Sequence, residues 1–280
     1  MSTRLIAKRS SRAVAVALAV LAALAVAPGT IAASYPNSLA AAGDSITRAY
    51  NTGTFPYSDN PAGSWSTGTN TTVASLYRRL LAVNPAISGH NLNDAKSGAK
   101  VGDLAGQLGT AATQHVAAVT ILIGANDVCT SSESTMTSVA DFRARFTAAL
   151  GAFRSASPAT VVYVASIPNI YNLWSIFKGS STARSVWSLF KVCQSMLANP
   201  TSTNQSDVDR RARVLQRERD FNAAMDQACA ADSACRWDGG AVFNTTFVAS
   251  DVTTRDYFHP SLAGQKKIAA ATWGAWFAAP

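Results

Sequence analysis

Residues 116–123, Val-Ala-Ala-Val-Thr-Ile-Leu-Ile, constrain the fold more than any other stretch of this chain. The run has no polar alternation, so a strand made from it has no solvent face and must be covered on both sides. Parallel sheets bury their strands in this way. The run ends at Gly124. Residues 39–42 form a similar apolar run before Gly43, and residues 160–165 another before Pro168. Shorter strands are expected just before Ser97-Gly98 and at 241–243.

Helical patterns lie between these runs. Residues 72–83 place Val73, Leu76, Leu80 and Leu81 on one face. Residues 138–154 do the same with Val139, Phe142, Phe146, Leu150 and Phe153. Residues 101–115, 206–229 and 261–277 complete the helical set. The Gly, Pro, Ser, Thr and Asn content of 51–70 predicts loop. Residues 170–204 read as an irregular, aromatic-rich insertion. Strands that alternate with helices imply βαβ units, a parallel sheet and right-handed crossovers. The loops after Gly43, before Gly98 and after Ile123 then share the carboxyl edge, where such sheets bind ligands.

The composition fits a folded enzyme-sized domain. The 280 residues are 48% hydrophobic and only 14% charged, which excludes a solvated disordered chain. The formal charge of +8 overstates the basic character. Arg4, Lys8, Arg9 and Arg12 lie in an acid-free first 33 residues, and the rest holds 20 basic against 16 acidic side chains. No nucleic-acid partner is expected. Residues 1–33 read as a signal peptide: a basic start, an Ala/Val/Leu run over 13–27, Pro28-Gly29, then Ala32 and Ala33, near which cleavage is expected. An uncleaved anchor is the alternative. The run is short for a membrane span, and no second one exists. The expected product is a secreted, monomeric domain over 34–280.

Four cysteines, Cys129, Cys193, Cys229 and Cys235, contain no C-x-x-C pair. In an exported chain they suggest two disulfides, and three connectivities are open. Cys229 and Cys235 are close enough to close a small loop, which would leave Cys129 with Cys193. Their spacing with histidine fits no zinc pattern, and no metal or cofactor is expected.

The chemistry concentrates in three places. A serine hydroxyl needs a base, and the base needs an orienting carboxylate. Of three histidines, only His259 has a nearby carboxylate in a polar loop, Asp256, three residues earlier. His90 and His115 read as structural. Ser45 follows Gly43-Asp44 after a strand, but this is not the G-x-S-x-G elbow. Asn126, in Gly124-Ala125-Asn126-Asp127, offers a side-chain N–H to a developing oxyanion, joined by the backbone N–H groups of Ser45 and Gly98. Asp44 and Asp127 read as turn-fixing acceptors of backbone N–H.

The order of these pieces resembles the SGNH hydrolases, also called GDSL lipases and esterases. Ser45 matches the first block, Gly98 the second, Asn126 the third, and Asp256 with His259 the fifth. The resemblance implies a three-layer α/β/α, flavodoxin-like fold with a central parallel sheet. It also implies a Ser45-His259-Asp256 triad and an oxyanion hole of Ser45, Gly98 and Asn126. The segments Ser64-Trp65-Ser66, residues 95–100 and residues 121–129 are similar to the phospholipase B-like branch. Ile46 and Ala125 stand where that family more often has leucine and glycine. The expected activity is hydrolysis of small or lipid carboxylic esters, phospholipids included. A carbohydrate acetylesterase is the alternative, and a non-catalytic secreted binding protein a weaker one. Tyr171, Trp174, Phe177, Trp187 and Phe190 supply either ordinary packing or an acyl wall, with Trp174 and Phe177 as candidate acyl-binding residues.

Overall fold

The computed structural model describes residues 1–3 and 35–277. The expected signal segment therefore lies, beyond its first three residues, outside the described residues. Among the described residues, five strands form one sheet in the order β2-β1-β3-β4-β5, and every pairing in it is parallel. They are β1 (Leu39–Gly43), β2 (Asn91–Asn93), β3 (Ala118–Leu122), β4 (Val161–Val164) and β5 (Cys235–Trp237). This is the flavodoxin-like doubly wound order, with its switch point between β1 and β3.

β1 is Leu-Ala-Ala-Ala-Gly, and all five residues are buried. Alanine has little preference for strands. Its small side chain instead lets helices approach the middle of the sheet. β3 pairs with β1 from Leu39↔Ala118 to Gly43↔Leu122, so both strands end at the same level. The loops bearing Ser45 and Asn126 consequently start side by side.

The helices are α1 (Leu76–Val83), α2 (Leu104–Thr113), α3 (Ala125–Val128), α4 (Val139–Ala156), α5 (Ile170–Phe177), α6 (Ser181–Leu189), α7 (Gln194–Leu197), α8 (Gln205–Ala230) and α9 (Leu262–Trp276). α2, α4 and α8 pack in sequence, with α2 on β1 and α8 on β5. Phe142 of α4 and Phe221 of α8 stack with ring centroids 4.0 Å apart. α1 and α9 contact each other. Ser138 caps α4, accepting from the Asp141 N–H at 3.1 Å.

Two expectations need correction. The segment 170–204 is not irregular: it contains α5, α6 and α7. Asn169 and Ser180 cap the first two, accepting from Asn172 N–H at 2.9 Å and Ala183 N–H at 3.3 Å. The strand expected at 241–243 is a turn, and the strand is β5. The Asp238 carboxylate accepts the N–H groups of Gly240 and Val242 and so curls the chain. Val242 is fully buried there, so its apolar character reports burial without strand geometry. The disulfides join Cys129 to Cys193 and Cys229 to Cys235. No helix among the described residues is long and apolar enough to cross a membrane.

Candidate active site

Ser45, Asp256 and His259 meet at the carboxyl edge of the sheet. His259 Nε2 lies 2.8 Å from Ser45 Oγ. Its Nδ1 lies 2.7 Å from Asp256 Oδ2. The other Asp256 oxygen accepts the N–H groups of Phe258 and His259 at 2.9 and 3.0 Å. The loop thus folds around its own carboxylate, which fixes the ring. Burial pushes the Asp256 carboxyl up, but the hydrogen bond and charge of His259 and the hydrogen bond from Asn51 outweigh it. The net effect holds Asp256 below the usual carboxylate range. The Tyr50 ring packs 4.9 Å from the imidazole.

Ser45 sits after a turn that only a few side chains hold. Gly43 has φ +148°, and a Cβ there would lie 2.3 Å from the Leu122 carbonyl oxygen. Gln107 of α2 grips Gly43 at both backbone atoms, accepting its N–H at 2.6 Å and donating to its carbonyl at 2.9 Å. Gln265 of α9 donates to the Ile46 carbonyl and accepts the Trp65 N–H, each at 2.8 Å. Asp44 Oδ1 accepts the Ile46 N–H at 2.9 Å. Asp44 is fully buried, and burial pushes its carboxyl up to about 7. Asp127, also buried, accepts from Val101 N–H and Thr137 Oγ1 at 2.9 and 2.7 Å, tying the third block to the loop after Gly98. Burial raises its pKa as well.

Asn126 donates from Nδ2 to the Ala99 carbonyl at 3.0 Å. This bond leaves the second amide hydrogen without an acceptor among the described residues. The backbone N–H groups of Ser45 and Gly98 likewise find no acceptor among the described residues. Gly98 has φ +82°, while a Cβ there would meet nothing within 4 Å. Glycine is favoured at this position for its backbone conformation, not for lack of space.

An apolar cleft of about 530 Å³, open to solvent, adjoins His259. Ile46, Ile170, Leu173, Phe247, Val252 and Phe258 supply much of its wall. Trp174 and Phe177, the candidate acyl-binding residues, are not in that wall. Ile170 and Leu173, near the start of α5, line the cleft, whereas Trp174 is buried with its indole N–H donating to the Pro200 carbonyl. Phe177 is buried edge-on against Tyr257, 5.4 Å between centroids. Trp187 donates to the Tyr257 carbonyl at 3.1 Å, so the aromatic insertion braces the loop that carries Asp256 and His259.

Sequence reasoning missed Asn51, Gln107, Gln265 and the α8 pair Glu218 and Asn222. Asn51 is buried, has φ +64° and donates to Asp256 Oδ2. Asn222 accepts the Ile167 N–H at 2.9 Å, and Glu218 the Ile170 N–H at 3.3 Å, which fixes the cleft wall after β4. Burial raises the Glu218 carboxyl well above its ordinary value. An amide or acid at helical spacing carries no local sign of a partner many tens of residues away. His90 and His115 are exposed surface residues away from these contacts. No group of three or more His, Cys, Asp or Glu among the described residues could hold a metal ion.

A parallel sheet whose carboxyl edge gathers a hydroxyl, an imidazole and a carboxylate defines a class of α/β ester hydrolases. Residues 41–267 match the model of the GDSL-like lipase/acylhydrolase family, and the chain belongs to that family. It is a carboxylic ester hydrolase. Among solved structures it is similar to an α/β hydrolase from the metagenome of Lake Arreo, Spain. That likeness has 18% identity and a TM-score of 0.53, over 85% of this chain and 94% of that one. An extracellular lipase from Streptomyces rimosus shows 19% identity and a TM-score of 0.47, over 85% and 99%. A family 3 carbohydrate esterase of Clostridium thermocellum shows 14% identity and a TM-score of 0.49, over 85% and 94%. No curated protein sequence matches the chain.

Proposed function

We propose that this is a secreted lipase or esterase in which Ser45 is the nucleophile, His259 the general base and Asp256 its orienting partner. The observation that carries the proposal is the continuous hydrogen-bonded path from Ser45 Oγ through both ring nitrogens of His259 to Asp256 Oδ2. In the first half-reaction His259 Nε2 takes the Ser45 proton while Oγ bonds to the ester carbonyl carbon. The carbonyl oxygen becomes an oxyanion, stabilised by the N–H groups of Ser45 and Gly98 and the free Asn126 amide hydrogen. Collapse expels the alcohol, which takes the proton from His259, and leaves an acyl group on Ser45. Water then repeats the sequence: His259 takes its proton, and the acid leaves as Ser45 recovers its hydrogen.

The apolar wall of the cleft supports an acyl chain longer than acetyl as the preferred substrate. Each methylene buried there contributes ~0.8 kcal/mol, or about fourfold in kcat/KM. A series of nitrophenyl esters tests this reading. Activity should rise from acetyl to medium-length acyl groups, and the gain should shrink in Leu173→Ala and Phe247→Ala. Acetyl esters hydrolysed best, with unchanged chain-length dependence in both variants, would favour the carbohydrate acetylesterase reading. Secretion rests on the apolar leader in the sequence and the two disulfides. Mass analysis of the protein recovered from culture medium should find the first residue near Ala33 or Ser34. An intact leader on cell-bound protein would contradict it.

A further inference from the structure

α5 contributes to two concavities, of which only the second has basic side chains, Lys178 and Arg211, in its wall. One is the apolar cleft beside His259. The other encloses about 770 Å³, partly open to solvent. Tyr171, Trp174, Lys178, Thr201, Ser202 and Arg211 contribute to its wall, and none of its lining residues is acidic.

Two cations lie against the Trp174 ring. Lys178 Nζ is 4.3 Å from its ring centroid and the Arg211 guanidinium carbon 4.6 Å. Arg211 is 3% exposed, yet it makes few hydrogen bonds. Its Nη2 donates to the Ser202 carbonyl at 2.8 Å, and its Nη1 has no acceptor among the described residues. A buried guanidinium is normally paired with a carboxylate or fully hydrogen-bonded. Of the two acids before it on α8, Asp207 is held by Arg210 at 3.1 Å and Asp209 accepts from Gln205 Nε2 at 2.7 Å. Arg210 spends its remaining donors on the carbonyls of Ser195 and Ala198. Neither cation at this concavity has a salt-bridge partner among the described residues, and burial together with the charge of Arg210 lowers the Arg211 pKa.

We propose that this concavity is a second binding site, separate from the ester cleft, for a phosphate ester. Its anion would sit between Lys178 and Arg211, and its organic part against Tyr171 and Trp174. A phosphate presents several oxygens and one to two negative charges, which matches a guanidinium fork and an ammonium better than a single carboxylate does. Lys178 is exposed and free to swing onto the anion. The Thr201, Ser202 and Thr203 segment supplies further hydroxyl donors at the rim. The site does not depend on the acyl preference of the cleft. Either a soluble phosphate ester or a lipid headgroup carries the required chemistry.

Two binding measurements on the whole mature chain test the site. Calorimetric titration with glycerol 3-phosphate reads the soluble source. Co-sedimentation of the Ser45→Ala chain with phosphatidylcholine vesicles, with and without phosphatidylglycerol, reads the lipid source while leaving the lipid intact. The expected result is salt-sensitive binding of glycerol 3-phosphate that weakens by about tenfold or more in Lys178→Glu. Lys178 is exposed, so this variant should keep the wild-type melting temperature and remain informative if Arg211→Gln fails to fold. A preference for phosphatidylglycerol vesicles that is also lost in Lys178→Glu assigns the lipid source, and its absence assigns the soluble one. The proposal is overturned if the folded wild-type chain binds neither probe. It is equally overturned if binding is the same in Lys178→Glu. Neither measurement uses turnover, so both outcomes are independent of the ester hydrolase mechanism.

Discussion

A fully buried carboxylate, Asp44, stands one residue before Ser45. Asp44 is held near pKa 7 by burial, against an ordinary 3.8. Below 3.8 the folded and unfolded chains both keep the proton, and Asp44 adds no pH dependence. Between 3.8 and about 7 the unfolded chain has released it and the folded chain has not, so stability falls as pH rises and then levels off. The full effect is at most about 4 kcal/mol. Asp44→Asn should keep the bond to the Ile46 N–H and flatten this slope. Urea unfolding at pH 4.5 and pH 8 would measure it, and an unchanged slope would move the titration elsewhere. Asn126→Ala should lower kcat by roughly 10²–10³-fold with little change in KM, because its free N–H meets charge present only in the transition state. A pure KM effect would make Asn126 a substrate-binding residue. Asn51→Ala should slow kcat while leaving KM alone, because it removes one of two side-chain donors that hold Asp256 Oδ2. An unaltered rate would mean the His259 loop holds the carboxylate by itself.

At the scale of elements, the cleft is assembled from pieces that local pattern describes unequally. β1, β3 and β4 were legible because burial on both faces leaves an uninterrupted apolar run, and α4 and α8 because their length shows helical pattern. β5 was not, since Arg236 is exposed at the sheet edge and interrupts the apolar signal. The wall was misassigned within α5 for a geometric reason. Aromatic size draws attention to Trp174 and Phe177, but the cleft lies beside the start of α5, where Ile170 and Leu173 sit, and Phe177 at its end packs on Tyr257. Ser45, Asn126, Asp256 and His259 could be singled out because each sits in a short motif, and the fold brings Ser45, His259 and Asp256 into hydrogen-bond contact. Asn51, Gln107 and Gln265 were not, because each acts at a distance through an ordinary amide. The Gly43 turn offers a direct check on the Gln107 grip. Gly43→Ala should be destabilising enough to reduce folded yield, since its Cβ has no room beside the Leu122 carbonyl. A stable, active Gly43→Ala protein would mean the turn can shift without losing the Ser45 position.

Across the whole molecule, the two disulfides do different work. Cys129–Cys193 spans 64 residues and ties the segment after Asn126 to the start of α7, while Cys229–Cys235 spans 6. Ser195 reinforces the first tie, donating to the Val128 carbonyl at 2.7 Å. On loop-closure entropy the long loop is worth about 4 kcal/mol and the short one about 2. Replacing Cys129 and Cys193 by alanine should therefore lower the melting temperature more than replacing Cys229 and Cys235, and should also reduce activity. Equal losses, or activity unaffected by the first pair, would remove the insertion from any part in holding the site.

The central claim is that Ser45 attacks the ester while His259 takes its proton. Ester hydrolysis by purified Ser45→Ala, with circular dichroism and melting temperature recorded beside wild type, tests it most directly. The hydroxyl makes its only side-chain hydrogen bond among the described residues to His259, so its loss should leave the fold intact. The predicted result is a folded protein with kcat lower by at least roughly 10³-fold. A folded Ser45→Ala protein that hydrolyses esters near the wild-type rate would contradict it.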